Sequence, residues 1–199
     1  MSRLRTYAHK PRIWKYQVLS TATRVSGSPI RRQPLLLMGP GRIAIGAGVQ
    51  FGWEKSQDFH TGYCHVEAST PASSIEIGDR AEINNNVFIK SEGPGIGIGA
   101  DALLGSRIVI YDSDFHELHP ARRRGGRPAM GRVELGENVF IGDRVMILKG
   151  VAIGAHSVIG AGSVVTTSIP SGVIAVGNPA RVVRELTDTD IPADLLTTA

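Results

Sequence analysis

The chain has 199 residues, long enough for one sizeable domain, and no Gly/Ser-rich or Pro-rich linker divides it in two. Hydrophobic residues make up 42% but aromatics only 6%, and there are 24 glycines, which argues against an aromatic-rich sandwich and for aliphatic strands joined by tight turns. The single cysteine, Cys64, excludes an intramolecular disulfide and fits a reducing, cytoplasmic setting; the opening residues lack the apolar run of a signal peptide, and no stretch reaches the ~18 apolar residues of a membrane span.

Residues 1–35 read as a basic arm. The first 53 residues hold nine Lys or Arg (Arg3, Arg5, Lys10, Arg12, Lys15, Arg24, Arg31, Arg32 and Arg42) and no acid, while the remainder carries 13 basic and 18 acidic residues. Such an arm suits peripheral contact with an anionic membrane, a lipid-linked substrate or an acidic glycan, and equally a solvated or partner-packed face. Nucleic acid is disfavoured, because no recognisable binding module accompanies the arm and the body is acidic.

From residue 36 a six-residue beat takes over. It is faint in Ile45 and Phe51 and clear in Ile77, Ile83 and Ile89, then in Ile98, Leu104 and Ile110; it runs unbroken through Leu135, Ile141, Ile147, Ile153, Ile159 and Val165. Gly136, Gly142, Gly154 and Gly160 follow four of these, and Val139, Val145, Val151, Ser157 and Ser163 stand two residues before the next aliphatic. A helix cannot keep such positions on one face, since six residues rotate it by about 600°. A short strand and a turn can: each hexad is one flat side, with the aliphatic inward and a glycine or small residue at the corner. Three hexads close a triangular coil, and stacked coils pair at ~4.8 Å. The spacing predicts an all-β parallel β-helix over 36–180, followed by a tail or short helix over 181–199.

Breaks in the beat are where chemistry is placed: 52–74, 91–95 and, longest, the loop 111–132. In "YDSDFHELHPARRR" (111–124), Asp112 and Asp114 precede His116, and Arg122, Arg123 and Arg124 follow. An imidazole suits proton transfer near neutral pH, and the arginines suit phosphates, another anionic ligand or plain solubility. "INNNVFIK" (83–90) replaces aliphatic and small residues by asparagines, which tolerate tight left-handed corners. "DFHTGYCH" gathers Asp58, His60, Cys64 and His65 at a spacing that matches no common metal site, so no metal is expected.

Over about residues 36–185, and most closely in "IGDRVMILKGVAIGAHSVIGAGSVVTTSIPSGVIAVGNPARVVRE" (141–185), the sequence resembles the hexapeptide-repeat acyltransferases, in their galactoside, maltose, xenobiotic and polysaccharide O-acetyltransferase branch. The resemblance implies a left-handed β-helix; the hand comes from it alone, since the general crossover rule favours the right. It further implies a homotrimer with sites between subunits and an acetyl-CoA-dependent O-acetyltransferase, acting by direct transfer on a hydroxyl of a saccharide or polysaccharide precursor. His116 matches the catalytic histidine, a general base, with Asp114, Asp112 or a backbone carbonyl to orient its ring. Asn84, and secondarily Asn86, match an acceptor-binding asparagine. Asp143, Ala161, Thr166, Thr167, Arg181 and Arg184 match coenzyme A positions, although lysine is common at 167 and serine at 143. A xenobiotic acetyltransferase and a non-catalytic β-helix scaffold are the alternatives.

Overall fold

A hexad cannot bury its own aliphatic side chain and must do so against the hexads above and below it. The computed structural model describes residues 3–187 and 190. A helix, α1 (Arg3–Leu19), precedes the coils. The first coil holds β1 (Arg24–Ser26), β2 (Ile30–Arg31) and β3 (Leu35–Met38), and the second β4 (Arg42–Ile45), β5 (Gln50–Phe51) and β6 (Cys64–Ala68). The third holds β7 (Ser74–Ile77), β8 (Glu82–Ile83) and β9 (Phe88–Ser91), and the fourth β10 (Ile96–Ile98), β11 (Leu103–Leu104) and β12 (Val109–Tyr111). The fifth holds β13 (Val133–Leu135), β14 (Phe140–Ile141) and β15 (Met146–Ile147), and the sixth β16 (Ala152–Ile153), β17 (Val158–Ile159) and β18 (Val164–Val165). A hairpin of β19 (Val173–Gly177) and β20 (Ala180–Glu185) closes the stack.

Each coil gives one strand to each of three parallel walls: wall A from β1 to β16, wall B from β2 to β17 and on to β19 and β20, and wall C from β3 to β18. The architecture is the left-handed β-helix that the resemblance implies. Ile77, Ile98, Leu135 and Ile153 stack in wall A, Phe51, Ile83, Leu104, Ile141 and Ile159 in wall B, and Ile89, Ile110, Ile147 and Val165 in wall C. None of these is more than 4% exposed. Each contributes roughly 1.5–3 kcal/mol of burial, so the columns are what hold the walls in register.

The corners impose a left-handed backbone on residues of every size. Arg80, Asp101, Asn138 and His156 between walls A and B, and Asn86, Arg107 and Arg144 between B and C, adopt left-handed φ between 50 and 61°. Coils also approach so closely that a Cβ on Gly142 would lie 2.6 Å from the Ala161 nitrogen of the next coil, which only glycine allows.

Three expectations change. The β-helix begins at Arg24 and not at 36: β1 pairs with β4 and β2 with β5. A terminal coil has a neighbour on one side only, so Val25, in register with the buried Ile43, stays 39% exposed and no hexad marks it. Within 52–74 a full strand, β6, buries Cys64, Val66 and Ala68 by simple alternation, which reduces the insert to 52–63. Finally, 180–185 is an antiparallel strand on wall B and not a helix or tail; residues 191–199 lie outside the described residues.

The inserts cluster by corner. Residues 52–63 leave the corner between walls B and C, whereas 92–95 and 112–132 both leave the corner between C and A.

Candidate active site

The long loop is fastened at its base by Asp112. Its buried carboxylate accepts hydrogen bonds from Ser91 Oγ (2.7 Å) and from the backbone amides of Glu92 (2.8 Å), Gly93 (3.1 Å) and Gly95 (2.9 Å), tying the loop to the smaller insert below it. A bridge between Ser113 and Met130 and a bond from the Asp114 amide to the Ala129 carbonyl (3.0 Å) close the neck. The chain then turns at Phe115, whose φ of 60° sends His116 away from the wall.

His116 is exposed, and its Nδ1 lies 3.2 Å from the carbonyl oxygen of Arg123. A carbonyl can only accept, so this contact assigns the ring hydrogen to Nδ1 and leaves the Nε2 lone pair available. The Asp114 carboxylate faces Lys149 instead, at 2.7 Å; Asp114 meets His116 only through its backbone carbonyl, which accepts from the His116 amide at 2.7 Å, and among the described residues no carboxylate reaches the ring. Asp112 is likewise engaged elsewhere. Of the three ring-orienting groups considered, the fold supplies the backbone carbonyl, because the turn at Phe115 separates the imidazole from both acids. Arg122 pairs with Glu117, and Arg123 donates to the Leu118 carbonyl at 3.0 Å, so two of the three arginines shape the loop that carries the histidine.

On wall B, Gln50, Trp53, Glu82, Asn84, Leu103 and Phe140 line an apolar hollow with a polar rim. Asn84 Nδ2 donates to Ser56 Oγ at 2.9 Å. Its neighbour Asn85, which sequence reasoning passed over, is fully buried: its Oδ1 accepts from the Trp53 amide (2.9 Å) and its Nδ2 donates to the carbonyls of Trp53 (3.0 Å) and Gln57 (2.9 Å). Asn85 therefore fixes the insert from which Trp53 enters the hollow. Asn86 takes the left-handed corner and turns to a different hollow, lined by Tyr63, His65 and Phe88 on wall C. Asn84 follows a wall B strand and His116 a wall C strand, so one chain keeps them at different corners.

The coenzyme-matching residues flank the last wall C strand. Ala161 precedes β18, and Thr166 and Thr167 follow it, all exposed. Asp143 lies one coil below Ala161, where its Oδ1 accepts from the Ser106 amide at 2.6 Å. Arg181 and Arg184 project from β20; Arg184 holds Asp190 at 2.6 Å, and this pairing drives the aspartate well below its ordinary range. The residues of "DFHTGYCH" disperse. Asp58 is ion-paired with Arg107, and burial pushes the Cys64 thiol up to about 12 while its Sγ donates to the Asn84 carbonyl at 3.2 Å. Burial also lowers the His65 imidazole.

Residues 132–167 match the family model described as bacterial transferase hexapeptide (six repeats). The galactoside O-acetyltransferase of Escherichia coli is 39% identical over 118 residues, covering 59% of this chain and 57% of that protein, so the match spans little more than half of that relative's length. A Staphylococcus aureus protein named as a presumptive acetyltransferase is 37% identical over 145 residues, covering 70% of this chain and 71% of that protein. A hexapeptide-repeat acetyltransferase of Vibrio cholerae, solved as a complex with acetyl coenzyme A, superposes with a TM-score of 0.55 at 25% identity, covering 94% of this chain and 85% of that one. With the stacked hexads, the matched repeat and these relatives together, the chain belongs to the hexapeptide-repeat acyltransferase family.

Proposed function

We propose that the protein is an acetyl-CoA-dependent O-acetyltransferase whose acceptor is a hydroxyl of a saccharide or polysaccharide precursor, with His116 as general base. The observation that carries this reading is the Nδ1 contact to the Arg123 carbonyl, which leaves the Nε2 lone pair of an exposed residue uncommitted on a fastened loop. Nε2 takes the proton of the acceptor hydroxyl as its oxygen attacks the thioester carbonyl. The imidazolium, steadied by the same carbonyl, then returns the proton to the departing coenzyme A thiolate. Transfer is direct, since Cys64 is buried with a raised thiol and cannot serve as an acyl carrier.

The donor fits the ridge beside β18. Exposed residues Ala161 and Thr166 suit a pantetheine amide, and Arg181 and Arg184 on β20 suit the coenzyme phosphates, Arg184 by exchanging the Asp190 carboxylate for a phosphate oxygen. The acceptor fits the wall B hollow, where Trp53 offers a ring face and Asn84 a polar side chain. Because Asn84 and His116 occupy different corners of one chain, the site is completed in a homotrimer, with Asn84 of one protomer opposite His116 of its neighbour. Leu103 and Phe140 on wall B and Met146 on wall C, 44%, 48% and 37% exposed, are the apolar surface for that packing.

The test is acetyl transfer followed by release of free thiol from acetyl-CoA, with galactosides as the first acceptors. The variant His116→Ala loses about 10²–10⁴-fold in rate while its acetyl-CoA binding, read by calorimetry, is unchanged. Full transfer by that variant sinks the mechanism, and absence of acetyl-CoA binding by the unmodified protein favours the scaffold.

A further inference from the structure

α1 turns two faces in opposite directions. Towards the body, Arg12 donates to the carbonyls of Gly62 (2.8 Å) and Phe59 (3.4 Å), and the Tyr16 ring meets that of Tyr63 at 4.7 Å. Away from it, Trp14 and Val18, one helical turn apart, are 66% and 64% exposed, with an exposed Lys15 flanking them. α1 lies against β3, the edge strand of wall C, through the bond from the Leu37 amide to Ser20 Oγ (3.0 Å). The first coil, on which the helix rests, also exposes Val25 and Arg24 on wall A, Ile30 on wall B and Arg32 at the next corner.

Large apolar side chains interleaved with basic ones, at one end of a molecule that has no acid before Glu54, match one kind of surface. An indole settles at headgroup level, aliphatic groups reach the acyl boundary, and Lys and Arg meet anionic headgroups. A second copy of the same face is disfavoured, because it brings like charges together. Nucleic acid gives the cations partners but offers no apolar layer for Trp14, Val18 and Ile30. Among the described residues no helix is long and apolar enough to cross a membrane. We infer that α1 and the adjoining first coil dock on the surface of an anionic lipid bilayer. This does not depend on the proposed reaction.

The test uses the full chain and vesicles of phosphatidylcholine with and without a minor share of phosphatidylglycerol, pelleted at low and high salt. The protein pellets with the phosphatidylglycerol vesicles only, and high salt releases it. Trp14→Ser and Lys15→Glu each weaken vesicle binding about tenfold without changing the mass of the assembly in solution. In a Trp53→Phe background, Trp14 fluorescence shifts to the blue on the same vesicles. Four results overturn the inference: no binding to phosphatidylglycerol vesicles, binding by both variants as tight as that of the unmodified protein, a smaller assembly for Trp14→Ser, which makes α1 a subunit contact, or retention by duplex DNA in place of vesicles.

Discussion

Cys64 occupies an inward position of wall C, where apolar neighbours penalise the thiolate and push the thiol up to about 12. Near pH 8 the folded protein therefore resists a disulfide exchange reagent, and one equivalent of thiol appears only on unfolding in urea; complete reaction of the native protein would contradict the burial. His116 is the opposite case, an exposed side chain with one ring nitrogen committed and one free. The sequence made His116 legible because the hexads stop around it. It could not show that Asp114 is held by Lys149, 35 residues away in the chain, since that pairing exists only once the fifth coil has stacked on the fourth. Asn85 was hidden for a related reason: three consecutive asparagines look alike until a corner turns one inward, one to wall B and one to wall C.

At the scale of elements, the two inserts at the corner between walls C and A behave as one unit with Asp112 as its fastening. Asp112→Ala leaves the hydroxyl of Ser91 and the amides of Glu92, Gly93 and Gly95 without their acceptor, a loss of about 3 kcal/mol. Urea unfolding should show a lower midpoint with an unchanged slope. Acetyl transfer should fall as the His116 loop loses its base, while donor binding beside β18 persists. An unaltered midpoint would mean that water replaces the carboxylate. The breaks in the hexad pattern located these inserts, but their boundaries came only with the fold. β6 escaped notice because a strand packed by alternating Cys64, Val66 and Ala68 needs no six-residue spacing. The first coil escaped because an end coil has only one neighbour to satisfy.

For the whole molecule, the walls were readable because every hexad repeats the same instruction, whereas the relation between chains leaves no periodic trace. If Asn84 and His116 meet across a subunit boundary, two inactive variants can repair each other. Asn84→Ala and His116→Ala, co-expressed in equal amounts, should assemble randomly into trimers that recover about a quarter of the unmodified activity, since each site draws one residue from each of two independent chains. Activity no higher than that of the separate variants would place both residues in one chain's own site. The two ends of the stack carry a different consequence. A parallel wall has no intrinsic stop, and its last strand presents a row of open backbone groups. Here β20 folds back antiparallel on β19, and at the far end the Leu37 carbonyl of β3 is taken by the amides of Thr21 and Ala22. Each end of the stack is thus partly covered by a segment that is not a hexad. The interior is modular: a complete turn of the prism could be duplicated or excised between them with both covers left in place.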